Sequence, residues 1–278
     1  MSGIGTGGIH VHGGGTHRNW RGLDAKQIVD RLGQSANLQT ALDAGDSSSY
    51  TSGQSWLDLS GNGQDFFLGT TSGSEASDPT FNGTAGLLSP LEYFGHDGGD
   101  FFTYDTTNET WMENIHKDNA AFTLYFVFMM GVELTNQALA GTCTFGASSS
   151  GFMMNITSGS NSPNLIVRDG AGGGALSITP TGVSVSAGVW SICGISVDEA
   201  NDLAQWFTSR GGLDPDPAAY TSPSSSAADQ TLSIGSRGGS VTPMTDGSRF
   251  ALFLGFSRAL NGMEMHRLGR ALRRRWMI

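Results

Sequence analysis

The stretch SWLDLSGNGQDFFL, residues 55–68, places a Trp and two leucines beside a run of turn-forming residues and then returns at once to three apolar residues. The glycines and the asparagine of SGNG tolerate positive φ, so this run is suited to reverse the chain between two short strands. We expect Asp58 to accept hydrogen bonds from backbone amides of the turn, and Trp56, Leu57 and Leu59 to supply apolar contacts. A calcium loop and a sugar-binding loop are the alternatives, and the strand–turn–strand pattern favours a marker of the fold.

The same alternation of apolar runs and turn-forming residues continues through the middle of the 278-residue chain, which contains 41 glycines and only 14% charged residues. Antiparallel β-sandwiches are built from short strands with such connections between them. The predicted strands are QDFFLG, LEYFG, DFFTY, FTLYFVFMM, GTCTFGA, GFMMNIT, NLIVRD, ALSIT, VWSICGISV, LAQWFTS, TLSIGS and FALFLGFSRAL. The pattern predicts an all-β sandwich, in which residues 212–230, rich in Pro and Ser, form a long exposed loop.

Two helices are predicted outside this β region. In residues 23–33, LDAKQIVDRLG, Asp24 is placed to cap the helix and Gly33 to end it. In residues 261–278, Asn261 and Glu264 form a capping-box pattern. The apolar side of this second helix consists of Met265, Leu268, Leu272 and Trp276.

Four arginines crowd the last turns of the C-terminal helix: Arg270, Arg273, Arg274 and Arg275. Cations suit the carbonyl end of a helix dipole, so a solvated helix end is the simpler interpretation. A docking patch for an acidic partner is the alternative.

The chain is predicted to comprise an N-terminal arm rich in Gly and His (residues 1–22), a short helical connector (23–37) and the sandwich domain (38–278). The arm has too few apolar residues to order itself, so we expect either its own domain or other protein chains to hold it, with other virion proteins as the favoured partners. The residues predicted to anchor it are Ile4, Ile9, Val11, His17 and Trp20. No stretch resembles a secretory signal or a membrane span, so we expect synthesis in a host cytoplasm without export by that route.

The formal net charge of −10 and the pI of about 4.9 exclude a general nucleic-acid binder, which needs a basic face. Cys143 and Cys193 lie far apart in apolar, strand-like contexts. We expect two buried free thiols, with a disulfide as the alternative.

Two groups of side chains have residue types that bind metals. His10 and His12 form a His-x-His pair, and on an extended strand both imidazoles point to the same side, where they can share a transition metal. Asp97, Asp100 and Asp105 supply oxygen ligands of the kind that calcium prefers. The alternatives are polar residues of a tail for the histidines and Asp-Gly turn formation for the aspartates.

Motifs for catalysis are not recognisable in the sequence. A glycoside hydrolase needs two carboxylates flanking the scissile bond, and no strand carries such a pair. A nucleophile elbow and a phosphate-binding loop are missing as well. We therefore expect a protein that is not an enzyme. The aromatic residues that can stack on sugar rings are Tyr104, Trp111, Trp206 and Tyr220, for which core packing is the alternative.

The motifs taken together resemble concanavalin A-like lectin/glucanase domains of the laminin-G and pentraxin kind. The resemblance rests on LDAGDSSSYTSGQSWLDLSGNGQDFFLG (42–69), the DPTF step (78–81), FGHDGGDFFTY (94–104), the Phe-Thr strand that starts at Phe122, and the ending LSIGSRGG followed by FALFLGFSRAL and a helix. It implies a jelly-roll sandwich, often used to bind carbohydrate, that covers residues 38–278.

Domains with this opening occur often in structural proteins of bacteriophages. The resemblance therefore implies a virion component, a tail fibre, spike or head decoration, that is attached to other virion proteins through the arm and contacts host-surface glycans. We expect a homo-oligomer, with a trimer favoured. The alternatives are a carbohydrate-binding module of a bacterial adhesin or polysaccharide-degrading system, and a divergent glycoside hydrolase.

Overall fold

Two antiparallel sheets pack face to face in the computed structural model of the chain, and two helices cover the outer face of one of them. The structure describes residues 20–105, 111–132, 135–144, 146, 148–171, 175–238 and 242–278. The helices are α1 (Ala25–Leu32) and α2 (Gly262–Trp276). The strands are β1 (Leu38–Asp43), β2 (Ser55–Trp56), β3 (Phe66–Leu68), β4 (Thr80–Asn82), β5 (Tyr93–Gly95), β6 (Phe102–Tyr104), β7 (Ala121–Met129), β8 (Gln137–Gly141), β9 (Ser150–Ile156), β10 (Pro163–Asp169), β11 (Ala175–Ile178), β12 (Trp190–Asp198), β13 (Leu203–Thr208), β14 (Gly212–Leu213), β15 (Ser233–Ile234) and β16 (Arg249–Phe256).

The first sheet, sheet A, has the strand order β14-β13-β12-β7-β16-β5-β4, and β1 also pairs with β16. The second sheet, sheet B, has the order β11-β10-β9-β8-β15-β6-β3-β2. All pairings between these strands are antiparallel. The prediction of an all-β antiparallel sandwich with an N-terminal and a C-terminal helix is confirmed.

The core between the sheets is formed by alternate residues of the long strands, because successive side chains of a strand point to opposite faces. From β7, Phe122, Leu124, Phe126 and Phe128 enter this core, while Tyr125 and Val127 point to the helices. The hydroxyl of Tyr125 donates to the carbonyl oxygen of Met265 in α2 at 2.8 Å. Sheet A is therefore covered on both faces, which explains the nearly continuous apolar sequence of β7.

The helices begin and end as the sequence predicts. Asp24 accepts a hydrogen bond from the Gln27 amide at 2.7 Å, and Gly33 ends α1 in the left-handed conformation at φ 71°. Asn261 accepts hydrogen bonds from the amides of residues 263 and 264, and the Glu264 side chain accepts one from the Asn261 amide at 2.9 Å. The four predicted apolar residues of α2 are all buried. One of the four arginines differs from the expectation, because Arg275 is buried and paired with Asp43.

The turn of residues 55–68 has the predicted role. Asp58 accepts hydrogen bonds from the Ser60 amide at 2.8 Å and from the Gln64 amide at 3.2 Å, and also from the Ala41 amide of β1 at 2.8 Å. Trp56 is fully buried, whereas Leu57 is 43% exposed and makes no core contribution of the predicted kind. The Asp58 carboxylate thus joins the turn to sheet A.

Two predictions along the chain are wrong. The strand predicted at GTCTFGA lies earlier, at β8. Beyond Gly141, the Thr142 amide still donates to the carbonyl oxygen of Phe152 at 2.9 Å, but the Phe152 amide donates to the Thr142 hydroxyl at 3.1 Å and not to a carbonyl oxygen. The segment 212–230 is not fully exposed. Tyr220, Ser222 and Ser224 are buried in it, and the Ser222 hydroxyl donates to the carbonyl oxygen of His116 at 2.6 Å.

Candidate functional site

A polar groove lies on the outer face of sheet B. Its cavity has a volume of about 420 Å³. Ligand pockets in proteins commonly have roughly 300–1,000 Å³. The groove is lined by Asn136, Asn155, Thr157, Ser158, Asn164, Ile166, Ser177, Thr179 and Arg237. We call the cavity formed by these residues the polar groove.

Strand alternation brings the floor of the groove together. In β9, Phe152, Met154 and Ile156 point into the core, so Asn155 points outward. Asn164 is the direct cross-strand partner of Asn155 in the register of β10 with β9. The two carboxamides therefore stand side by side on a rigid, hydrogen-bonded surface.

Hydrogen bonds orient the Asn164 carboxamide. Its Nδ2 lies 2.9 Å from the Ser177 hydroxyl, 2.8 Å from the Thr179 hydroxyl and 3.3 Å from the carbonyl oxygen of Ile178, and it donates toward these acceptors of β11 and the residue after it. Its Oδ1 is buried and has no hydrogen-bond partner among the described residues. An unpaired buried carbonyl oxygen is costly, so this atom is a site where a donor from a ligand is favourable.

The charged residue of the groove is Arg237, which is 8% exposed. Its Nε donates to the Oδ1 atom of Asn155 at 3.1 Å, and this bond fixes the plane of the guanidinium group. Burial lowers the pKa of Arg237, and the nearby positive charge of Arg168 lowers it further. A desolvated and oriented guanidinium binds an acceptor oxygen more strongly than a mobile one at the surface.

The groove offers both hydrogen-bond donors and acceptors, together with one partly exposed apolar side chain, Ile166. Carboxamides present an acceptor and two donor hydrogens, and hydroxyls act as either. This set matches a ligand with many hydroxyl groups and patches of C–H surface.

The aromatic residues predicted to stack on sugars are not in the groove. Tyr104, Trp206 and Tyr220 are at most 1% exposed and belong to the core between the sheets. Tyr104 also donates a hydrogen bond to the side-chain oxygen of Gln64. Their rings offer no face to a ligand, so this part of the prediction is corrected. Trp111 is half-buried and packs against the same core.

The predicted metal ligands are placed as follows. Asp97 and Asp100 close a turn, in which the Asp97 amide donates to Asp100 Oδ2 at 2.8 Å and the Gly99 amide donates to Asp97 Oδ1 at 3.2 Å. The backbone amide of Asp105 donates a hydrogen bond to the carbonyl oxygen of Asp65 at 2.9 Å. Among the described residues, no group of three His, Cys, Asp or Glu is placed to hold a metal ion. His10 and His12 lie outside the described residues.

Of the residues predicted to anchor the arm, Ile4, Ile9, Val11 and His17 also lie outside the described part of the chain. Trp20 is described and is 6% exposed, packed in the cluster that α1 and α2 form on sheet A. The guanidinium of Arg31 lies 5.5 Å from the centre of its ring. The chain's own helices thus hold Trp20.

Sequence reasoning missed Asn155, Asn164 and Arg237. The strands GFMMNIT and NLIVRD were predicted, and the alternation within each already separates the asparagine from the core residues. What the sequence lacks is the register that places Asn155 beside Asn164.

Neither described helix has the length and apolar content of a membrane span.

No protein-family model matches the chain, and no curated protein matches it. Several solved structures are similar. The receptor-binding domain of botulinum neurotoxin type G has a TM-score of 0.57 at 16% identity, with 85% of this chain and 52% of that chain covered. The binding domain of botulinum neurotoxin serotype D/C has a TM-score of 0.58 at 12% identity, with 88% and 53% covered.

A sialidase of Trypanosoma rangeli, solved with a difluorosialic acid, has a TM-score of 0.55 at 12% identity, with 87% of this chain and 34% of the sialidase chain covered. The chain therefore spans about half the length of the toxin chains it matches and a third of the sialidase. At this level of identity the similarities show the fold, an all-β sandwich.

Proposed function

We propose that the chain binds a carbohydrate in the polar groove. The observation that carries this proposal is the juxtaposition of Asn155, Asn164 and Arg237, whose polar groups are fixed by hydrogen bonds on a rigid sheet. Groups that are already oriented lose little entropy when they bind a ligand. Sugar hydroxyls donate and accept at the same time, as the carboxamides of the groove do.

The similar structures support this assignment by analogy. A binding domain of botulinum neurotoxin DC was solved in complex with SialylT, and the sialidase with a difluorosialic acid. Those ligands belong to those proteins, and fold alone does not fix function. The analogy adds weight to a groove whose own chemistry points to the same class of ligand.

Binding without hydrolysis is the form of the proposal that the groove supports. Its lining residues within the described part of the chain are amides, hydroxyls, an isoleucine and an arginine, with no carboxylate. Glycoside hydrolysis normally uses a pair of carboxyl groups, roughly 5–10 Å apart. A test for released reducing ends on the glycans that bind would overturn this part if activity were found.

We further propose that the sandwich is displayed on a phage particle, as a trimer attached through residues 1–22. The support is the resemblance of residues 42–69 and the later motifs to domains found in phage structural proteins. Sedimentation of the full chain checks the proposed mass. A stable monomer whose arm is removed by protease without any other effect would instead favour a free carbohydrate-binding module.

The glycan proposal is tested with the full chain on a glycan array, followed by calorimetry on the glycans that bind. The double variant S177A/T179V removes two exposed hydroxyls of the groove and is expected to weaken binding at least tenfold. The matched control T51V/S52A removes the same groups at exposed positions outside the groove. Absence of binding across the array, or equal loss in both variants, contradicts the proposal.

A further inference from the structure

The solvent side of α2 carries two adjoining cavities. The first has a volume of about 430 Å³ and is lined by Arg21, Arg270, Arg273, Arg274, Met277 and Ile278. The second has about 220 Å³ and is lined by Trp20, Leu32, His266, Arg267, Arg270, Ala271 and Arg274. Arg270 and Arg274 line both cavities, which makes them one continuous surface. We call the side chains of Arg21, Arg267, Arg270, Arg273 and Arg274 the arginine face.

The arginine face concentrates positive charge on an acidic protein. It contains five of the 15 Lys and Arg residues, although the chain has a net charge of −10. The ion pairs among the described residues do not involve Arg267, Arg270 or Arg274, which are all exposed. The charges of Arg270 and Arg274 are therefore available to a partner, whereas that of Arg267 also acts on Glu264 and helps to lower its pKa.

The helix dipole does not explain this pattern. Cations near the last turn suit the carbonyl end of a helix, which covers the region of Arg273 and Arg274. Arg267, Arg270 and Arg274 follow each other at spacings of three and four residues, and like charges at these spacings destabilise a helix. An anionic partner would offset this repulsion.

The floor between the guanidinium groups is apolar, and this selects the kind of anion. Trp20 and Ala271 are buried beneath the face, Leu32 is half-buried at its edge, and Met277 is 63% exposed beside it. Inorganic polyphosphate has no apolar groups to place there, and the acidic remainder of the molecule repels a long polyanion such as a nucleic acid. A protein segment with acidic and apolar side chains fits both parts of the surface.

The N-terminal segment is not a matching occupant. Residues 1–19, which precede Trp20, contain no Asp or Glu. Arg18 would add positive charge to a positive surface. Charge complementarity therefore points to another chain.

We propose that the arginine face is a docking surface for a segment of a partner protein in which carboxylates alternate with apolar side chains. The exposed guanidinium groups of Arg267, Arg270 and Arg274 bind the carboxylates in bidentate geometry. The apolar side chains of the segment cover the floor formed by Trp20, Ala271 and Met277. The surface lies on sheet A's helix layer, whereas the polar groove lies on sheet B, so this proposal is independent of the glycan proposal.

The test measures fluorescence anisotropy of labelled twelve-residue peptides with the full chain. The first peptide contains Asp, Glu and Leu, and the second replaces each Leu by Ser. Two phosphate probes, an oligodeoxynucleotide and inorganic polyphosphate, complete the set. We expect the first peptide to bind at least tenfold more tightly than the other probes. We also expect its affinity to fall with added salt.

The variant R270Q/R274Q is expected to weaken this binding at least tenfold. Its matched control is R210Q/K117Q, which removes two charges elsewhere, and circular dichroism verifies that both variants are folded. Absence of binding of the first peptide overturns the proposal, as does equal loss in both variants. Tighter binding of the phosphate probes overturns it in favour of a phosphate ligand. Self-association in sedimentation that R270Q/R274Q abolishes overturns it in favour of a second copy of the chain.

Discussion

Arg275 and Asp43 form an ion pair whose side chains are 1% and 0% exposed, and it joins the last turn of α2 to the end of β1. Arg275 Nη2 donates to Asp43 Oδ1 at 2.6 Å, and its second terminal nitrogen donates to Oδ2. The same carboxylate accepts the amides of Ala25 at 2.8 Å and Gly45 at 3.0 Å. One buried group thus connects both helices with sheet A.

Removing one member of this pair is expected to destabilise the protein strongly. The variant R275M leaves the Asp43 carboxylate buried without its cation, and breaking such a pair costs about 3–5 kcal/mol of the free energy of unfolding. Urea unfolding monitored by circular dichroism measures the loss. The control R274M changes the exposed neighbour and is expected to shift the free energy by less than about 0.5 kcal/mol. A similar small effect of R275M would show that the pair contributes little.

The close approach of α2 to sheet A requires a glycine at position 269. A Cβ atom there would lie 2.2 Å from two ring atoms of Phe207. In an exposed helix, Gly→Ala stabilises by about 1 kcal/mol. Here we expect G269A to destabilise by about 1–3 kcal/mol, because the helix must move away from the strand. Thermal unfolding checks the sign, with R270A at the exposed surface of the same helix as the control. A stabilised G269A would contradict the packing.

Sequence reasoning found most of the fold because its signals are local. Asp24, Asn261 and Gly33 mark helix ends by the chemistry of single residues, and long apolar runs such as β7 mark central strands. It missed β1, whose sequence LQTALD lacks alternation since both faces of the strand are covered. It also treated Arg275 as a surface cation, because its partner Asp43 lies 232 residues away.

The site was harder to predict for the same reason. The polar groove is formed by cross-strand neighbours, and the pairing of Asn155 with Asn164 depends on register. Aromatic residues gave a misleading signal, because Trp206 and Tyr220 are sized for a core as well as for a sugar. No local feature of the sequence distinguishes an aromatic residue of the core from one that stacks on a sugar.

Two buried histidines make the stability depend on pH. Burial lowers the pKa of His96 and of His116 to about 4. The unfolded chain binds a proton at each near pH 6.5, so their contribution is fully present above that pH and is lost as the pH falls toward 4. We expect the free energy of unfolding to fall by on the order of 3 kcal/mol for each histidine over this range. Urea unfolding at a series of pH values measures the slope, and H96Q is expected to flatten it.

Asp100 has the opposite effect on the pH dependence of the free energy of unfolding. Burial is the main cause that raises the pKa of Asp100 to about 6, with Asp97 contributing further. The folded state therefore holds a proton on Asp100 between about pH 4 and 6, and its contribution is lost as the pH rises through that range. As the pH falls, we expect the free energy of unfolding of D100N to decrease more steeply than that of the wild type. A flatter profile in D100N would contradict this assignment.

The two cysteines are expected to be unreactive in the folded protein. Both are free and buried. Burial raises the pKa of Cys143 to about 12, with the charge of Asp229 adding to it, and burial raises the pKa of Cys193 well above its usual range. Because the thiolate is the reactive form, a thiol reagent at pH 8 should modify neither cysteine in the folded state and both in denaturant. Rapid modification without denaturant would show that one of them is accessible.

The contact between Arg237 and Asn155 gives the most specific prediction for the polar groove. If the oriented guanidinium binds a ligand oxygen, R237Q is expected to weaken glycan binding by about 1.5–3 kcal/mol, the range for hydrogen bonds to charged groups. N155A leaves the charge in place and removes the acceptor that orients it, so we expect a smaller loss of affinity. Calorimetry with a glycan that binds measures both effects.

The matched control is R210Q, because Arg210 lines a different cavity beside Gly182 and Gly211. We expect it to leave the affinity unchanged. R237K separates charge from geometry, since an ammonium group keeps the charge and loses the planar donor set. Restored affinity in R237K would show that charge alone is needed, whereas a loss equal to that of R237Q supports an oriented guanidinium. Unchanged binding in R237Q and N155A would place the ligand outside the polar groove.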